Sequence, residues 1–142
     1  TIIETSRQQI AKNLNKFAIS SYWEIGKLLD EKKVDSKHGD SIVKRLSIDL
    51  KSIYPNIGLS PRNLWDMKKF YLRYNKENAK LRQAVAVLPW SHNLLLMNYN
   101  LSPEHIVFYA NEVVSKGWTR DRASKSSYRK SRLEKLEPMV NN

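Results

Sequence analysis

A helix with one basic side is predicted from Pro61 to Tyr74, and its charges suit contact with a polyanion. Ser60 is a good helix N-cap, and Pro61 suits the first helical position because the N–H it lacks would have no partner there. At about 100° per residue, the apolar residues share one side of this helix: Leu64, Met67, Phe70, Tyr71 and Tyr74. The other side holds Arg62, Asp66, Lys69 and Arg73, with Trp65 at its edge. A short helix built this way can lie along a nucleic acid.

A second basic helix is predicted immediately before it, from about Asp40 to Tyr54. Its inward-facing residues are predicted to be Ile42, Val43, Leu46, Leu50 and Ile53. The segment 55–59 contains Gly58 and is predicted to form the turn. A helix, a glycine-containing turn and a further helix are the order of a helix-turn-helix, which binds DNA in the major groove.

Ten residues are predicted to contact duplex DNA. Those facing the groove and backbone from the second helix of the pair are Arg62, Asn63, Trp65, Lys68, Lys69 and Arg73. Those touching phosphates from elsewhere are Lys44, Arg45, Lys51 and Arg120. Two have alternatives, since Asn63 lies near the apolar side and can hydrogen-bond within the helix start. Trp65 either stacks on a sugar or base or is a partly covered surface residue.

Composition limits the partners and the compartment. The 142 residues suit one domain or one domain with a tail, and 25 Lys and Arg against 14 Asp and Glu give a net charge of +11. That charge favours nucleic acid first and an anionic membrane surface second. The absence of cysteine excludes disulfides and Cys-ligated zinc and fits a cytoplasmic protein. No apolar run approaches the ~18 residues of a membrane-spanning helix.

The first predicted helix runs from Ser6 to about Glu31 and has apolar residues on two sides. The stripe expected to face inward is Ile10, Leu14, Phe17, Ser21, Ile25 and Leu28. Ile19 and Trp23 lie opposite it. The helix is therefore either packed from two directions or uses Ile19 and Trp23 as the surface of a homodimer.

Strand signals are nearly absent, so the predicted fold is all-α, with a minor β wing left open. Ser91 is predicted to cap a helix over 93–97, and Ser102-Pro103 opens a helix that ends at Gly117. The predicted organisation is a domain over 1–121 and a basic tail over 122–142, either a solvated helix or a disordered segment.

Five motifs follow one another between Tyr22 and Asp121. They are Tyr22-Trp23-Glu24-Ile25-Gly26-Lys27, Leu46-Ser47-x-Asp49-Leu50, Leu59-Ser60-Pro61-Arg62-Asn63-Leu64-x-x-Met67-x-x-Phe70, Leu88-Pro89-Trp90-Ser91-His92, and Phe108-Tyr109 through Gly117-Trp118-Thr119-Arg120-Asp121. In these motifs the chain resembles the N-terminal domain of the YhcG family of bacterial proteins. It departs from the family at 122–125, where Arg-Ala-Ser-Lys replaces the expected apolar residues.

The resemblance implies a helical, winged-helix-like DNA-binding module. Members of that family are predicted nucleases, often encoded near restriction-modification genes or mobile elements. Their metal-dependent cleavage is assigned to a C-terminal PD-(D/E)XK domain, and this sequence contains no such domain. The nuclease activity of the family therefore does not transfer to this chain.

No catalytic site, metal or cofactor is predicted. Glu31-Lys32-Lys33 spells the Glu-x-Lys of such nucleases, but it lies at a helix end without a sheet or an upstream acidic partner. His38, His92 and His105 lack metal-ligand spacing. Two alternatives remain open beside DNA binding. One is a protein-interaction or dimerisation module that recruits a nuclease or restriction-modification partner, and the other is a truncated nuclease.

Overall fold

The computed structural model describes residues 2–35 and 39–117, and its regular elements there are helices. They are α1 Ile2–Glu31, α2 Asp40–Ile53, α3 Pro61–Tyr74, α4 Ala79–Ala86, α5 Trp90–Leu96 and α6 Pro103–Lys116. This confirms the all-α class. The two described ranges contain no strand, so the β wing that the sequence leaves open is not found within them. The predicted tail over 122–142 and Arg120 lie outside the described residues.

Local chemistry sets several of the helix ends. The Ser60 hydroxyl accepts from the Asn63 N–H at 3.2 Å, and the Ser102 hydroxyl accepts from the His105 N–H at 3.1 Å. Gly117 ends α6 with a φ of 64°, a conformation that favours glycine. The predicted cap at Ser91 is wrong. Helix α5 begins at Trp90, three residues before the predicted start at Asn93, and its N-cap position is occupied by Pro89.

The chain divides into two compact units. The central unit is Ser20–Lys76, and the terminal unit comprises the described residues up to Ile19 and from Glu77 onward. The first part of α1, up to Ile19, belongs to the terminal unit, and the part from Ser20 onward belongs to the central unit.

The terminal unit is built on the packing of α4 against α6. The Asn93 amide, on α5, donates to the Val85 carbonyl at 3.1 Å. Nδ1 of His92 lies 2.9 Å from the Tyr109 hydroxyl, and both side chains are buried. Burial, with a smaller contribution from Tyr99, raises the pKa of Tyr109, so its hydroxyl stays protonated. His92 therefore belongs to the core.

The packing side of α1 differs from the prediction. Ile10, Leu14, Phe17 and Leu28 are 57, 66, 77 and 55% exposed, whereas Ile19 and Leu29 are only 3 and 4% exposed. Helix α1 also begins at Ile2 rather than Ser6. The physical reason is that α1 carries apolar side chains on two sides, and periodicity by itself does not say which side the rest of the chain covers.

The buried side of α2 is narrower than predicted. Val43 and Ser47 are 0 and 2% exposed, but Ile42 and Ile53 are 54 and 64% exposed. Because Val43 and Ser47 define the direction of packing, Ile42 and Ile53 lie about 100° or more away from it around the helix. Helix α2 ends at Ile53, one residue short of the predicted Tyr54.

The end of α1 folds into a turn that positions the chain for α2. The Lys33 N–H donates to the Asp30 carbonyl at 3.0 Å, and the Val34 N–H donates to the Leu29 carbonyl at 3.1 Å. This is a Schellman motif in which Lys33, with a φ of 54°, occupies the position usually taken by glycine. Val34 and Leu29 are both buried, which is the apolar contact that accompanies the motif.

Candidate nucleic-acid interface

The central unit is basic, with twelve Lys and Arg against seven Asp and Glu in the sequence 20–76. Most of this excess comes from α2 and α3, which pack against each other. These two helices and the connector between them therefore form the candidate site.

One side of α3 is fully covered. Its buried residues are Leu64, Met67, Phe70 and Tyr74, each at most 1% exposed. The second part of α1 contributes to this packing, because a Cβ added to Gly26 would lie only 2.1 Å from the Met67 carbonyl oxygen. The Trp23 ring also makes edge contacts with Phe70 and Tyr71, with centroids 5.9 and 5.0 Å apart. The opposite side of α3 is thereby turned away from the packing.

The connector between α2 and α3 is fixed by side-chain hydrogen bonds. The buried Ser47 hydroxyl donates to the Leu59 carbonyl at 2.6 Å. The Asn63 amide donates to the Gly58 carbonyl at 3.1 Å, and the Leu59 side chain is itself buried. One bond therefore ties the connector to α2, and the other ties the connector to the start of α3.

Sequence reasoning did not assign a role to Ser47. The available signal was its place in the Leu46-Ser47 motif, on the buried side of α2, four residues after Val43. A hydroxyl at a buried helical position needs a hydrogen-bond partner, and the connector supplies one.

The structure places Asn63 in the first turn of α3, with its side chain hydrogen-bonded to the connector rather than on the basic side. Its amide donates to Gly58 and its N–H to Ser60, which is the alternative hydrogen bonding at the helix start. Two roles are predicted for Asn63, contact with DNA and hydrogen bonding at the helix start. This geometry corresponds to the second.

Trp65 and Lys68 both contact the chain between α1 and α2. A Cβ added to Gly39 would lie 3.0 Å from the far edge of the Trp65 ring, so the half-buried indole covers this glycine. The Lys68 ammonium lies 5.9 Å from the Trp65 ring centroid and donates to the Val34 carbonyl. Lys68 can bind a phosphate only if it breaks its hydrogen bond to the Val34 carbonyl. Trp65 is half-buried, so only part of its ring is available for stacking on a nucleotide.

The remaining predicted residues of α2 and α3 differ in exposure. The Arg73 guanidinium lies 5.2 Å from the Tyr74 ring centroid, and Arg73 is half-buried. The exposed members, called here the basic set, are Lys44, Arg45, Lys51, Arg62 and Lys69. Asp66 is the acidic residue on the same side of α3. Arg120 lies outside the described residues.

The residues considered for catalysis are dispersed. Glu31 is the exposed last residue of α1, and His92 and His105 are buried at 1 and 0% exposure. His38 lies outside the described residues. Across 2–35 and 39–117, no three His, Cys, Asp or Glu side chains converge as a metal site would require. None of the helices in those ranges has the length and apolar content needed to cross a membrane.

The fold and site define an all-helical domain with a packed pair of basic helices. The chain belongs to the DUF1016 N-terminal domain family, whose family model matches residues 1–131. This confirms the resemblance to the N-terminal domain of YhcG proteins. No curated protein and no solved structure matches the chain.

Proposed function

We propose that this domain is the cytoplasmic DNA-binding module of a YhcG-type nuclease and binds duplex DNA without cutting it. The pair α2–α3 acts as a helix-turn-helix within a winged-helix-like arrangement, and α3 enters the major groove. The observation that carries the proposal is that Arg62 and Lys69 are exposed on the side of α3 opposite its buried residues.

The connector supports this use of the two helices. Recognition helices contact base edges through their first residues, so the start of the helix must be held in place. Ser47 and Asn63 do this by hydrogen-bonding to Leu59 and Gly58. The connector of seven residues, 54–60, is longer than the common three- to four-residue turn. A shorter turn is rigid because it has few residues that can move. In this longer connector, the hydrogen bonds from Ser47 and Asn63 provide the rigidity instead.

Binding is expected to be strongly salt-dependent. If the basic set and its neighbours neutralise roughly five to nine phosphates, log Kobs for duplex DNA should fall with log salt with a slope of about −4 to −8. Fluorescence anisotropy across a salt series measures this, with single-stranded DNA and RNA of the same sequence as comparison ligands. A flat salt response, or no duplex binding at about 50 mM salt, contradicts the proposal.

A second candidate is a protein-interaction module, and α1 provides the observation that favours it. In the terminal unit, Ile10, Leu14 and Phe17 are exposed at i, i+4 and i+7, the spacing used in helix–helix recognition. The predicted homodimer surface is different, since Ile19 is buried and Trp23 packs against Phe70.

If α1 mediates self-association, Leu14→Ala should shift the association equilibrium toward monomer, while Ile19→Ala should act mainly through stability. Sedimentation equilibrium at rising micromolar concentration measures the difference. A monomer at all concentrations for the unmodified protein excludes self-association and leaves this surface to a different protein.

A further inference from the structure

One acidic side chain interrupts the basic side of α3. Asp66 follows Arg62 by four residues and precedes Lys69 by three, so all three share one side of the helix. The Asp66 side chain is half-buried. Within the part of the chain that the structure describes, no ion pair with Arg62 or Lys69 accounts for its presence.

A carboxylate in this place opposes simple binding to the DNA backbone. It repels phosphates and weakens the sequence-independent attraction that Arg62 and Lys69 provide. An ionised carboxylate only accepts hydrogen bonds. In the major groove, the group that suits such an acceptor is the N4 amino group of cytosine.

The position of Asp66 on α3 also fits contact with base edges. Arg62 is the second residue of the helix, where recognition helices contact bases, and guanine O6 and N7 are the usual partners of arginine. Four residues advance about 6 Å along a helix, and base pairs are spaced by about 3.4 Å. Asp66 therefore lies within about two base pairs of the base that Arg62 contacts.

We propose that Asp66 is a specificity-determining residue that accepts a hydrogen bond from a cytosine amino group, beside a guanine bound by Arg62. This inference rests on the proposed function, because it assumes that α3 occupies the major groove. It assigns to Asp66 a role in the choice of DNA sequence, whereas the sequence-independent attraction to the DNA backbone, which Asp66 opposes, comes from the basic residues beside it.

The test is selection from a randomised duplex library with the unmodified protein, Asp66→Asn and Asp66→Ala at one salt concentration. The unmodified protein should enrich sites with a guanine and a cytosine within about two base pairs of each other. Asp66→Asn should keep the guanine and favour adenine at the former cytosine position, because asparagine pairs with adenine N6 and N7. Its affinity for the original site should fall about tenfold.

Asp66→Ala should lose the preference at that position and bind random duplex DNA more tightly than the unmodified protein. The matched control is Asp30→Asn, which removes a half-buried carboxylate from α1 of the same unit. It should leave the selected sequence unchanged. The comparison distinguishes an effect of the carboxylate at position 66 from an effect of the change in net charge. Thermal unfolding of each variant verifies that it is folded.

Each outcome decides the inference. An unchanged selected sequence in both Asp66 variants overturns the role of Asp66, and so does salt-dependent binding of the unmodified protein without any sequence preference. In both cases the proposed function stands. Failure of the unmodified protein to bind any duplex rejects the proposed function together with the inference.

Discussion

Replacing Gly26 by alanine is expected to destabilise the central unit by about 3 kcal/mol or more. The added Cβ would lie 2.1 Å from the Met67 carbonyl oxygen and 2.7 Å from its carbonyl carbon. Both are backbone atoms of α3, so no side-chain rotation can make room and α1 must move away from α3. Urea unfolding followed by far-UV circular dichroism measures the loss.

The sign of the effect makes this a sharp test. Alanine is the better helix former by about 1 kcal/mol, so Gly26→Ala would stabilise α1 if no close contact existed. Gly58→Ala is the matched control, because its added Cβ meets only the end of the Asn63 side chain, at 3.0 Å. We expect that variant to lose about 1 kcal/mol, equivalent to one hydrogen bond. A stability of Gly26→Ala equal to or above that of the unmodified protein would refute the α1–α3 contact.

The double variant Arg62→Ala/Lys69→Ala is expected to bind DNA more weakly while remaining folded. Both side chains are exposed, and exposed charges usually change stability by no more than about 0.5 kcal/mol. Binding to duplex DNA should weaken by about 1–3 kcal/mol if Arg62 contacts a base edge. The salt slope should become less negative by about 1 to 2. Anisotropy across a salt series and thermal unfolding give the two readouts.

Two controls separate local contact from net charge and from folding. Lys16→Ala/Lys80→Ala removes the same charge from exposed residues of the terminal unit and should leave most of the binding intact. Leu64→Ala removes a fully buried side chain and should cost roughly 2–5 kcal/mol of stability, losing binding only by unfolding. If the basic double variant stays folded and binds with unchanged affinity and slope, α3 is not the reading helix. The basic stretch from Arg120 onward then becomes the better candidate.

The elements that local chemistry defines could be predicted from the sequence. Helix α3 has its predicted bounds because Ser60 and Pro61 fix its start, and α6 ends where Gly117 provides a left-handed residue. The packing side of α1 could not be predicted. Apolar residues occur on both of its sides, and the choice depends on elements that are distant in sequence.

The candidate site divides in the same way. The exposure of Arg62 and Lys69 follows from the amphipathic pattern of α3 alone. Lys68 donates a hydrogen bond to the Val34 carbonyl, 34 positions away in the sequence. No local sequence pattern could predict that contact. The Trp65 ring likewise packs against Gly39. Because glycine has no side chain, the sequence gives no sign of this contact, which forms only when the chain folds.

The contact between α1 and α3 sets a lower limit on the length of a fragment in which both basic helices can fold. A piece that begins at Asp40 would include both basic helices and the connector. It would still lack Trp23 and Gly26, which cover Phe70 and the Met67 backbone. Such a fragment would expose the apolar side of α3 to water and would aggregate or fail to fold. Truncation from the N-terminus should therefore abolish binding once Trp23 and Gly26 are removed, well before the first residue of the basic set is lost.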